Sequence, residues 1–181
     1  MPLKWSIAEL SLTPSAQEAD LSMAWCAERY GDVYSAAAPH LHVRAVARRA
    51  ADVVDVDVSL DTTVGFACSR CAEPATMPLV TSFAHHFVGP GGMEAGQGDD
   101  FDPEVDGDPD LSEHDGTTVQ LDDLCIEYAI LALPDAPLCK EDCLGLCPHC
   151  GNNLNEGPCT CKDIVDPGSP WSALAGLKLN R

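Results

Sequence analysis

Basic residues are scarce in this chain. Lys and Arg number ten against 29 Asp and Glu in 181 residues, a formal charge of −19, and the interval from Cys71 to Cys139 contains neither Lys nor Arg. Such a balance excludes a nonspecific polyanion binder, whose affinity comes mostly from counterions displaced by Lys and Arg. Any nucleic-acid contact must be local or indirect. Long apolar runs are missing as well. The longest, Tyr128 to Leu133, falls far short of the roughly 20 residues of a membrane span, and the opening MPLKWSIAEL carries no apolar stretch of signal-peptide length. The expectation is a cytoplasmic protein with no membrane partner. Also absent are a Ser/His/Asp set, a phosphate-cradling glycine loop and an HExxH motif, so neither an enzyme nor a small-molecule substrate is expected. His85 and His86 are neighbours in a β pattern and point to opposite faces, which argues against a two-His metal site.

The acidity is concentrated. Fifteen acids lie between Cys71 and Cys139, leaving a net −4 for the rest of the chain. Within that interval residues 89–118 are Gly, Pro and acid with little to bury, so the entropy of ordering them is not offset. They are expected to form a disordered acidic loop. A formal calcium-loop match runs through Asp102, Glu104, Asp106, Gly107, Asp108, Asp110 and Glu113. Pro109 occupies a position that such loops give to an aliphatic residue, and no helix precedes the match, so it is read as chance in an acid-rich segment.

Periodicity divides the remainder. Trp5 to Leu12 reads as a strand with Trp5, Ile7 and Leu10 as its apolar positions, and Ser15 to Tyr30 reads as a helix capped by Ser15. LHVRAVARRA and VVDVDVSL alternate with period two; in the second, Val54, Val56 and Val58 face one way and Asp55, Asp57 and Ser59 the other. TVGFAC and MPLVTSFAHHFV continue the β pattern, giving four or more antiparallel strands with one wet face. Leu121, Leu124, Cys125, Tyr128, Leu131 and Ala132 then fall on one helical face, with Asp122 as cap and Pro134 as stop. The fold class expected is α+β: an antiparallel sheet with packing helices and a C-terminal zinc-ribbon-like cysteine module. Residues 1–138 form the main domain, 139–163 the module, and 164–181 a tail helix docking through Trp171, Leu174 and Leu177.

Ten cysteines, about 5.5% of the chain, are too few for a secreted disulfide scaffold and, clustered in a reducing compartment, suggest metal. Cys147-Pro-His-Cys150-Gly has the spacing of a zinc knuckle, with Gly151 free to take the positive φ that such a turn needs. Cys159 and Cys161 complete a first quartet, with Leu154 as an apolar plug and His149 outside the ligand set. Cys26 and Cys125 sit on apolar helical faces and read as buried small residues. Cys68, Cys71, Cys139 and Cys143 then remain for a second quartet, although the choice of quartet is open. A four-thiolate site is closed to water, so the zinc is expected to be structural rather than catalytic.

CSRCAEP (68–74), the acidic spacer, VQLDDLCIEYAILALPDAPLC (119–139), CLGLCPHCGNNLN (143–155), CTC (159–161) and SPWSALAGLK (169–178) together resemble the YceD family, the large ribosomal RNA subunit accumulation proteins. The resemblance covers about residues 40–178; the first 40 residues match loosely. It implies a bacterial or organellar cytoplasmic factor, not known as an enzyme, that supports accumulation or processing of large-subunit ribosomal RNA. Cys68, Arg70, Cys71, Glu73, Pro74, Glu127, Leu131 and Pro134 match the family pattern. Some family members keep the CxRC pair without the cysteine cluster, which fits a structural role for the metal.

Two routes to ribosomal RNA follow. Arg44, Arg48 and Arg70 form a small candidate RNA face, against which stands a solvated strand face with Asp55 and Asp57 as ionic partners. Alternatively, the acidic segment meets a basic ribosomal protein and acts without strong RNA affinity. A third reading, from another class, is a thiol redox or metal-handling protein whose cysteines are the working groups.

Overall fold

The computed structural model describes residues 3–30, 33–92, 108 and 110–161. Its frame is a six-stranded mixed sheet ordered β2 (Ser15–Ser22), β4 (His40–Ala50), β5 (Val53–Ala67), β6 (Pro74–Val88), β7 (Leu111–Glu113), with β3 (Tyr34–Ala36) on the β5 edge beyond the end of β4. Alternation builds the sheet as expected. Leu41, Val43, Ala45 and Ala47 of β4 and Val54, Val56, Val58 and Leu60 of β5 are buried, while the intervening residues face out. Burying each valine or leucine stabilises the fold by about 1.5–3 kcal/mol.

Antiparallel pairing holds from β2 through β6, but β7 runs parallel to β6, so the sheet is mixed rather than purely antiparallel. A small second sheet pairs β1 (Lys4–Ser6) with β8 (Thr118–Gln120). The Trp5–Leu12 strand is therefore shorter than expected. A 3-10 turn at Ile7–Glu9 replaces its end, although Trp5, Ile7 and Leu10 are all buried.

The helix expected over Ser15–Tyr30 is a correction. Ser15–Ser22 is strand β2, paired along its whole length with β4, and only Ala24–Tyr30 is helical (α1). Alanines favour a helix, yet Ala19 and Leu21 also satisfy a period of two. The unpaired edge of β4 decides between the two readings, an instance of tertiary context overriding propensity. Ser15 caps nothing; its Oγ accepts a hydrogen bond from Trp5 Nε1 at 3.3 Å.

α2 spans Asp122–Leu131 and lies against β5 and β6, with Phe83 and Tyr128 stacked at a centroid distance of 3.8 Å. Its own Cys125 and Ala129 are buried, whereas Leu131, expected on the packed face, is 70% exposed. Asp122 is the first helical residue rather than the cap, and its Oδ1 accepts the Leu3 amide at 2.8 Å.

Part of the acidic stretch is ordered, contrary to the loop expected over 89–118. It contains β7 and a turn in which Asp115 accepts the Thr117 and Thr118 amides at 2.7 and 2.6 Å, launching β8. Those amides, Thr118 first, hold the Asp115 carboxyl well below the usual carboxylate range. Residues 93–107 and 109, with most of the calcium-like match, lie outside the described residues, as does the expected tail helix at 164–181.

Candidate metal centres

At the far end of the β5–β6 hairpin, about 50 Å long for strands of this length, the turn is Cys68-Ser-Arg-Cys71. The Cys68 amide donates to Glu73 O at 2.9 Å and the Ala72 amide to Cys68 O at 2.8 Å, with Ala72 at φ 60°. These bonds curl the turn so that both sulfurs face inward. The Ser69 amide donates to Pro137 O at 2.9 Å and Arg70 Nη1 to Cys143 O at 2.9 Å, which bring the segment following α2 onto the turn.

Cys68, Cys71, Cys139 and Cys143 thereby converge, every sulfur within 4.8 Å of the others. The contacts Cys68–Cys143 and Cys71–Cys139 measure 3.8 and 3.7 Å. Tetrahedral zinc with bonds of about 2.3 Å places its sulfurs about 3.8 Å apart, so the donor set fits such an ion. Cys68, Cys71 and Cys143 are buried and Cys139 is exposed. Asn155 Nδ2 donates to Cys143 Sγ at 3.3 Å and lowers that thiol's pKa. Cys68 is held down at about 6, first by the backbone amide of Cys139.

Cys147, Cys150, Cys159 and Cys161 form a second group, again with all sulfurs within 4.8 Å. The knuckle closes as its sequence suggests. Gly151 has φ 74° and its amide donates to Cys147 O at 2.9 Å, while the His149 amide points at Cys147 Sγ at 3.4 Å. The amides of Cys150 and then His149 hold the Cys147 thiol down at about 6. Only Cys147 is buried here; Cys150 and Cys161 are exposed and Cys159 is intermediate. His149 is exposed and outside the sulfur cluster. Each group can hold one metal ion. The ribbon expected around the second group is reduced to one backbone bridge, Leu146–Asn153, among the described residues of 139–161.

The segment Cys143-Leu-Gly-Leu-Cys147 joins the two groups. Gly145 sits at φ 74°, and a Cβ there would stand 3.0 Å from Arg70 O. The Leu146 amide donates to that same Arg70 oxygen at 3.1 Å, and the Leu154 amide to Gly145 O at 2.9 Å. Asn155 and Gly145 were not singled out from the sequence. The side-chain bond from Asn155 to sulfur has no fixed spacing, although the run GNNLN offered amide groups close to the thiols.

The remaining site candidates are separate from the sulfurs, apart from Arg70. Arg44 lies 3.8 Å from Glu18 and Arg48 2.9 Å from Asp57, on the wet face of the sheet. Asp55 pairs with His86 at 2.7 Å, while His85 is buried on the opposite face against Ser112 at 2.9 Å. Cys26 and Cys125 are fully buried, away from both groups, and burial pushes the Cys125 thiol up to about 12. Among the described residues, no helix is long and apolar enough to cross a membrane.

A mixed sheet whose longest hairpin ends in one tetrathiol group and abuts another defines a β-rich protein with a cysteine end able to hold metal. A sequence profile described as the large ribosomal RNA subunit accumulation protein YceD matches residues 56–178, which include all eight of these cysteines. The chain belongs to the YceD family. An uncharacterized protein of Mycobacterium tuberculosis is 29% identical over 115 residues, covering 64% of this chain and 50% of its own length, and a Mycobacterium bovis protein matches to the same extent. An uncharacterized Mycobacterium leprae protein is 38% identical over 60 residues, 33% of this chain and 27% of its own. The chain spans about half the length, or less, of these curated relatives. No solved structure matches it.

Proposed function

We propose that this chain is a non-enzymatic cytoplasmic factor that supports accumulation and processing of large-subunit ribosomal RNA during ribosome assembly. It acts chiefly by contact with a basic ribosomal protein, and it carries two structural zinc ions. The observation that carries the reading is the family match, continuous across both cysteine groups. The donor chemistry supports zinc: four sulfurs per site leave no position for water, and such closed sites fold the chain. Cys68, Cys71, Cys139 and Cys143 hold one ion; Cys147, Cys150, Cys159 and Cys161 hold the other.

The protein route is favoured over direct RNA binding by the state of the cations. Arg44 and Arg48 already face Glu18 and Asp57, and Arg70 is engaged with Cys143 O, so a phosphate would have to displace these partners. The test is quantification of large-subunit RNA precursors in a deletion strain with and without the chain restored. Loss of mature large-subunit RNA on deletion and its return on complementation are expected; an unchanged RNA profile refutes the role. Two zinc ions per purified chain are expected by mass spectrometry under native conditions. Zero metal with the eight clustered thiols reacting freely, Cys26 and Cys125 being buried, would favour the thiol redox alternative.

A further inference from the structure

We propose that Leu144 and Leu146 form a docking prong for a protein whose apolar pocket is rimmed by Lys or Arg side chains. The inference rests on the protein-contact reading above and says where that contact is made.

Six large apolar side chains are notably exposed among the described residues, and two of them stand within three positions of each other: Leu144 at 65% and Leu146 at 41%. Their backbone is not free to turn them inward. Cys143 and Cys147, on either side, are 2% and 4% exposed and committed to different sulfur groups. Between them the Leu144 amide donates to Asn155 Oδ1 at 3.0 Å, Gly145 packs on Arg70 O in a left-handed conformation, and Leu146 donates to Arg70 O and bridges to Asn153. Apolar side chains held out on a fixed backbone bind with little loss of chain entropy, the circumstance in which a few residues dominate an interface.

The same surroundings argue for protein over RNA. Leucine has no π face on which a base can stack. Among the described residues the nearby cations already have partners, Arg70 with Cys143 O at 2.9 Å and Lys140 with Asp142 at 4.0 Å, which a phosphate would have to displace. Charge selects the kind of protein. Residues 135–161 carry Asp135, Glu141, Asp142 and Glu156 against Lys140 alone, and the whole chain carries −19. A basic rim is attracted to this surface, and a second copy of this chain is repelled.

The test uses the full metal-loaded chain, immobilised beside the same chain carrying Leu144→Asp and Leu146→Asp. The probe is total protein extracted from washed large ribosomal subunits. Retention of one defined basic protein in equimolar amount is expected, at least about tenfold weaker with the variant, while metal content and melting temperature stay unchanged. Should the double variant lose metal, Leu144→Ser serves instead, since its side chain lies outside both sulfur groups. Equal retention by both chains, no equimolar retention by the wild type, or self-association through these leucines overturns the inference. So does a photo-crosslinker at position 144 that labels RNA rather than protein in cells. Failure here leaves the deletion-strain RNA profile and the zinc count standing, since each is read independently.

Discussion

The two sulfur groups differ in how the chain reaches them. The inner one draws Cys68 and Cys71 from a hairpin turn and Cys139 and Cys143 from beyond α2, and three of its four cysteines are buried. The outer one draws all four from residues 147–161 and buries one. A site assembled from distant stretches fastens the fold, whereas a site assembled from one stretch orders that stretch. The outer group also leans on the inner: Gly145 and Leu146 reach it by packing on Arg70, a residue of the inner turn. One contact returns, from Asn155 Nδ2 of the outer stretch to Cys143 Sγ at 3.3 Å, so the dependence is mutual but unequal.

That asymmetry is open to direct attack. Cys68→Ser with Cys71→Ser should have the largest effect, taking the metal count from two to zero and lowering the melting temperature by roughly 10 °C or more, the scale of a few kcal/mol in a chain of this size. A retained single ion in that variant would show the outer site to be autonomous. Cys147→Ser with Cys150→Ser should take the count from two to one, with the sheet melting within about 3 °C of the wild type; loss of both ions would reverse the proposed order. Smaller again is Asn155→Ala, which removes the donor to Cys143 Sγ. Its expected result is inner-site affinity weaker by about tenfold in a chelator competition. Last comes Gly145→Ala, at a strain of about 1–3 kcal/mol, with faster release of the outer ion and little change at the inner one. An effect confined to the inner ion would mean that the link between the groups carries no strain.

How much of this was legible depended on whether a residue's role is set by its own stretch of chain. Val54, Val56 and Val58 declare β5 by alternation, because a sheet with one wet face imposes that period locally. Setting aside Cys26 and Cys125 on apolar grounds left two sets of four thiols, and the structure brings together those same sets. Ser15–Ser22 was misread because its alanines fit two periods and only the neighbouring β4 distinguishes them. β7 escaped notice because its three residues pair in parallel with β6 across an intervening segment, a relation with no local signature. Arg70 was assigned to a candidate RNA face, yet its guanidinium and its carbonyl tie the two sulfur groups together. Spacing gives the ligands, while the groups that orient them come from wherever the fold supplies a donor.

The contact between Cys68 and Cys143 also joins positions 75 apart in sequence. Once that clasp is shut, β6, the acidic segment and α2 lie inside a closed ring whose ends are anchored to each other. The entropic cost of such a ring grows only with the logarithm of its length, by about 0.6 kcal/mol per doubling. The acidic segment is accordingly a place where residues can be added or removed at little cost, since the chain on either side of it is held where β7 pairs with the end of β6.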